Sequence, residues 1–174
     1  MNVIERIASN TPWEPIFGYS RAVRAGDWLV VSGTTATDER GLLVGPGQMY
    51  VQARQALLNI KAHVERAGLR LADIVRTRVF TTDISRFSEI ARAHKEILGE
   101  NPPASTLVEV KRLVHPDMLV EIEADAWAGA AQPAIETDAK ITRPAVAKGR
   151  APIQRKPKAK AASPKGRARP RRRK

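Results

Sequence analysis

From Tyr50 onward the apolar residues Ala53, Leu57, Ile60, Val64 and Ala67 recur at helical spacing, and from Asp73 to Asp83 the period drops to two. That change of period constrains the fold more than any other feature of the chain, because it commits a helix and then a strand to one layered core. In the first segment Gln52, Arg54, Lys61 and Glu65 fall off the apolar face, and Gly68 is placed to end the helix. In the second, Val75, Thr77, Val79 and Thr81 alternate with Arg76, Arg78 and Phe80, a β-branched composition that suits a strand. Ser85 is expected to cap a second helix, with Phe87, Ile90, Ala91, His94, Ile97 and Leu98 as its stripe and Gly99 as its stop.

Upstream, "SRAV" and the run Asp27 to Gly33 read as two strands of a hairpin turned at "RAGD", and "DERGLLVGPGQ" reads as loop with one short strand pairing at most. Downstream, "NPPASTLVEVKRL" and "MLVEIEADAWAG" read as strands joined through "VHPD", the first delivered in extended form by Pro102 and Pro103. The resulting order, β-β-(β)-α-β-α-β-β, predicts an α+β fold with one mixed β-sheet and two helices packed on one face.

Charge divides the chain sharply. Residues 141–174 hold 14 of the 30 Lys+Arg and none of the 18 Asp+Glu, which leaves 16 cations against all 18 acids before them, a net −2. The basic character therefore belongs to a tail. From about residue 131 the composition shifts to Ala, Pro, Lys and Arg, which cannot bury enough apolar surface to offset its ordering entropy. The expected organisation is a folded domain over 1–130 and a disordered basic tail over 131–174. With 0 cysteines, disulfides and thiolate chemistry are excluded. Glu5 and Arg6 interrupt the N-terminal stretch where a secretory signal needs an apolar segment, and no run reaches the length of a membrane span, so a cytoplasmic protein without membrane association is expected.

Among groups that could do chemistry, His63 and His94 fall within the two helices and His115 in a loop, none at metal-ligand spacing; no metal or cofactor is expected. No nucleophile elbow, phosphate loop or GxGxxG is present. In "VEIEA", Glu121 and Glu123 share one strand face, where a carboxylate can hold water or move a proton if the face is enclosed, and is otherwise simply solvated. Ser105 and Thr106, just behind the two prolines, are either turn chemistry or the lip of a site.

The segments "GYSRAV", "VVSG", "QARQALLNIKAHVERAGLRLADIVRTRVFTTDI", "PASTLVEVKRL" and "LVEIEADA", in this order and at this spacing, resemble the RidA/YjgF family, also called endoribonuclease L-PSP, over roughly residues 12–128. The resemblance implies a chorismate-mutase-like α+β fold, a homotrimer and small-molecule ligand clefts between subunits. It also implies hydrolysis of reactive enamines and imines to a 2-oxo acid and ammonia. By position, Tyr19, Ser32, Gly33, Ser105 and Thr106 would line the cleft, and Glu121 would hold or activate the attacking water. Active members carry Pro-Ala-Arg where this chain has Pro103, Ala104 and Ser105, so a bidentate grip on a substrate carboxylate is replaced by one neutral hydroxyl. Arg21 stands where Gln is common, and Ala91 where Asn occurs. Arg21 either shares a face with Tyr19 and supplies the missing guanidinium, or is a surface arginine.

Three functional readings are open to such a chain. One is an enamine or imine deaminase with altered substrate preference. The second is a trimer that binds a metabolite without turnover. The third is a nucleic-acid-associated protein that binds DNA or RNA non-specifically through Lys156, Lys158, Lys160, Lys165, Arg167, Arg169, Arg171, Arg172, Arg173 and Lys174.

Overall fold

The computed structural model describes residues 4–9 and 11–129. The expected tail, with its ten candidate nucleic-acid-binding cations, lies outside the described residues. The elements are β1 (Ile4–Ile7), α1 (Trp13–Phe17), β2 (Ala22–Ala25), β3 (Trp28–Thr34), α2 (Met49–Arg66), β4 (Ile74–Thr81), α3 (Phe87–Leu98), β5 (Ala104–Glu109) and β6 (Val120–Trp127). They build one six-stranded sheet in the order β1-β2-β3-β6-β4-β5. β4 and β5 run parallel, linked through α3, and the other pairings are antiparallel. The mixed sheet with helices on one face is the predicted architecture.

The core lies between the sheet and the two long helices. Val120, Ile122, Ala124 and Ala126 of β6 join Leu29 and Val31 of β3 beneath Ala53, Leu57, Ile60 and Val64 of α2 and Ile90 and Leu98 of α3. β6 follows its alternation without a break, and Glu121, Glu123 and Asp125 project from the opposite face. α2 closes near Gly68, whose φ of 78° is a left-handed stop that glycine adopts without strain. The loop before α2 contains one isolated pairing, Thr37 with Leu43.

Several details depart from the expected pattern. β1 and α1 carried no signal; β1 buries only Ile7 and is held by backbone pairing to β2. In β4 the pairing with β6 slips by one residue between Ile74 and Arg76, so Ile74 is buried and Val75, expected on the inner face, is 40% exposed. Gln52, expected on the polar side of α2, is fully buried because the segment before β6 folds over it. The turn entering α3 is capped by the Asp83 carboxylate, which accepts from the Ser85 N–H, rather than by Ser85 itself. Phe87 stays 56% exposed, and Ala93 takes a buried place on α3.

Candidate active site

Two carboxylates that look alike in sequence are separated by their neighbours. Glu123 lies 3.3 Å from Arg78 on β4, which also reaches Asp125 at 3.1 Å, so this part of the open face is internally paired. Glu121, two residues earlier, has no such partner among the described residues. Its burial, reinforced by the negative charge of Glu123 and partly offset by Arg21, raises its pKa above the ordinary glutamate value. A half-buried carboxyl in that state holds a proton closer to neutrality than a surface glutamate does, which suits proton transfer.

Glu121 rests on Gly33. β3 slips by one residue against β6 between Val31 and Thr34, and a Cβ at Gly33 would collide with the Glu121 carboxylate. The bulge and the missing side chain together make the seat. Ser32, beside it, turns its hydroxyl to the Ser20 carbonyl at 2.8 Å, tying β3 to the segment that carries Tyr19.

Arg21 organises this corner. It is 7% exposed, donates to the Gly33 carbonyl at 2.7 Å and the Thr34 hydroxyl at 3.3 Å, and donates through its other terminal nitrogen to the Tyr19 hydroxyl. Its Nε lies 3.8 Å from Glu14, whose carboxylate is fixed in turn by the Ser9 N–H at 3.0 Å. Arg21 is thus a buried brace. Its donors are directed to the protein, so it is neither a surface arginine nor a free grip for a ligand carboxylate. Among the described residues the structure therefore brings Tyr19, Ser32, Gly33 and Glu121 together, with Arg21 and Glu14 as supports that periodicity did not reveal.

Ser105 and Thr106 are elsewhere in the fold. Both lie on β5, with β4 between them and β6. Thr106 pairs with Arg78 and so shares the open face of Glu121 and Glu123. Ser105 pairs with Thr77 and points towards the helix layer, where its Oγ lies 2.9 Å from the Thr77 hydroxyl. That hydroxyl is 3.0 Å from Nε2 of His94 on α3. Burial alone lowers the pKa of His94, which keeps its imidazole neutral. Among the described residues no group of three or more His, Cys, Asp or Glu is arranged to hold a metal ion, and no helix is long and apolar enough to cross a membrane.

The endoribonuclease L-PSP family model matches residues 9–128. A RutC family protein of Pyrococcus horikoshii is 39% identical over 118 residues, covering 68% of this chain and 92% of that protein. The 2-iminobutanoate/2-iminopropanoate deaminase of Escherichia coli is 37% identical over 123 residues, covering 69% and 94%. The crystal structure of a Mycobacterium tuberculosis member of the YjgF/YER057c/UK114 family superposes with a TM-score of 0.66 at 42% identity, covering 72% of this chain and 99% of that one.

Proposed function

The chain belongs to the endoribonuclease L-PSP (RidA/YjgF) family, and from that premise we propose that it hydrolyses small reactive imines or enamines with a preference for substrates lacking a carboxylate. The observation that carries the reading is the isolated, half-buried Glu121 seated against Gly33. In imine hydrolysis a proton must reach the nitrogen, water must add to the carbon, and the carbinolamine must collapse to a carbonyl and ammonia or an amine. Glu121 gives its proton to the nitrogen and takes one back from the carbinolamine hydroxyl. Tyr19 and the Ser32–Gly33 edge position the ligand, and no cofactor is needed.

The preference follows from Ser105. A hydrogen bond from a charged group is worth on the order of 1.5–3 kcal/mol, and a neutral hydroxyl does not replace it. Because Ser105 and Glu121 occupy opposite faces of one subunit, the reading needs a homotrimer in which β5 of one copy meets the Glu121 face of the next around a small-molecule ligand. Exposed Trp28, Val30 and Trp127 beside Glu121's sheet face supply apolar surface for such closure. The proposal places this reaction in the cytoplasm.

The test is turnover of imines generated in situ from several amino acids and simple amines, with Glu121→Gln as control. Turnover that vanishes in the control supports the enzyme. Saturable ligand binding without turnover would replace it with the metabolite-binding trimer, the alternative that Ser105 favours. The uniform positive charge of residues 141–174 favours a second, separable activity, non-specific binding of DNA or RNA through the tail.

A further inference from the structure

The Thr77 hydroxyl bridges two groups that the sequence keeps far apart. Thr77 is 0% exposed; His94 Nε2 lies 3.0 Å from its Oγ1 on one side, and Ser105 Oγ lies 2.9 Å away on the other. Ser105 itself is exposed, on the outermost strand. A threonine hydroxyl owns one proton, so this chain of three can be polarised in only two ways. In the first, Ser105 donates to Thr77 and Thr77 donates to the Nε2 lone pair. In the second, His94 donates inward and Ser105 is left with its proton free to face outward. Adding a proton at Ser105 converts the first arrangement into the second and leaves an imidazolium, with no heavy atom displaced. Water cannot compete for the middle member, because Thr77 has no accessible surface.

We propose that Ser105, Thr77 and His94 form a proton relay, with Ser105 as its catalytic end, serving a C=N ligand bound along β5. The proposal rests on the imine hydrolysis assigned to Glu121 and names the base which that reaction lacks. As the water oxygen bonds to the carbon of the protonated imine, its proton passes to Ser105 Oγ. The Ser105 proton then passes to Thr77, and that of Thr77 to His94 Nε2. Reversal sends the proton to the carbinolamine nitrogen, the C–N bond breaks with its electron pair on nitrogen, and ammonia or an amine leaves. Glu121, which protonated the imine, recovers its proton from the hydroxyl as the carbonyl forms, so the balance is imine plus water to carbonyl plus amine. The neutral imidazole of His94 is the resting state such a base requires.

Thr77→Val keeps the shape of the side chain and removes the hydroxyl, and Thr77→Ser restores the hydroxyl. With imines generated in situ by an amine oxidase, the full-length Thr77→Val protein should lose about a hundredfold in kcat, with KM held within about twofold, and Thr77→Ser should recover most of it. In nitrogen-15 spectra the His94 Nε2 resonance should move in Thr77→Val and also in Ser105→Ala, two hydroxyls away. Wild-type kcat in Thr77→Val, or a His94 resonance indifferent to Ser105→Ala, would overturn the relay. If the wild-type protein hydrolyses no imine, the enzymatic reading fails separately, and the nitrogen-15 response alone decides whether the relay exists.

Discussion

At the scale of single residues, the proposed site rests on Glu121 being unlike Glu123. Both sit on the open face of β6, but Arg78 neutralises one and burial burdens the other. A carboxyl whose folded-state pKa is raised binds its proton more tightly when folded than when unfolded. The stability it permits is therefore full below the ordinary glutamate value, and falls as pH rises through the raised one. Glu121→Gln removes that fall: chemical denaturation should show equal stability of variant and wild type near about pH 4 and a more stable variant at about pH 8, alongside lost turnover. An unchanged difference across that range would mean that Glu121 is not strained by burial. Ser105→Arg tests the other end of the ligand. It restores a charged grip, so KM for 2-imino acids should fall by about tenfold or more relative to wild type, read by steady-state kinetics. Because the same change removes the hydroxyl that Thr77 contacts, kcat should not rise with it.

At the scale of elements, Gln52 shows how α2 holds more than the core. Its amide donates to the carbonyls of Gly45 at 3.1 Å and Asp117 at 2.8 Å and accepts from the Leu119 N–H at 2.8 Å, clamping two loops to the helix just before β6 begins. Gln52→Leu leaves buried backbone groups without partners, and urea denaturation should show a loss of about 2–4 kcal/mol. Gln52 also marks the limit of reading by pattern. Helical spacing finds the stripe from Ala53 to Val64 because one side of α2 faces the sheet, but a side chain buried by a loop on another side looks polar and exposed. β6 was legible throughout because its alternation is unbroken. Val75 was not, because the bulge that turns it outward is set by its register with β6, about fifty residues away in sequence. β1 has no period to read, as backbone pairing rather than side-chain burial holds it. Contacts between elements likewise hid the supporting roles of Glu14, Thr77 and His94 and the bracing role of Arg21, whereas Tyr19, Ser32, Gly33 and Glu121 were placed by their resemblance to the family's motifs.

At the scale of the molecule, charge and surface place the two proposed functions on separate parts of one chain. Residues 4–129 contain a core and a sheet that the helices cover on one face, so assembly should not depend on the basic tail. Sedimentation of a chain ending at Gly129 should give a homotrimer, and a monomer at micromolar concentration would contradict the cleft. The activity proposed for the tail rests on different physics. Residues 1–140 carry a net −2, which repels phosphate on balance, whereas residues 141–174 carry 14 cations, no acid and no aromatic residue. Such a segment neutralises phosphates and releases their counterions, with nothing to stack on bases or read an edge. Three such tails on the proposed trimer would act on a single nucleic acid with an avidity that one tail lacks, provided the duplex reaches more than one of them. Binding to duplex DNA of unrelated sequences should then be nearly equal. It should weaken by about a thousandfold or more between roughly 50 and 200 mM salt, as expected for six or more neutralised phosphates. Ending the chain at Gly129 should abolish that binding and leave imine turnover intact, because Tyr19, Gly33, Thr77, Ser105 and Glu121 all precede the cut. Binding that survives the truncation, or that ignores salt, would move the nucleic-acid site onto the domain and deny the tail its role.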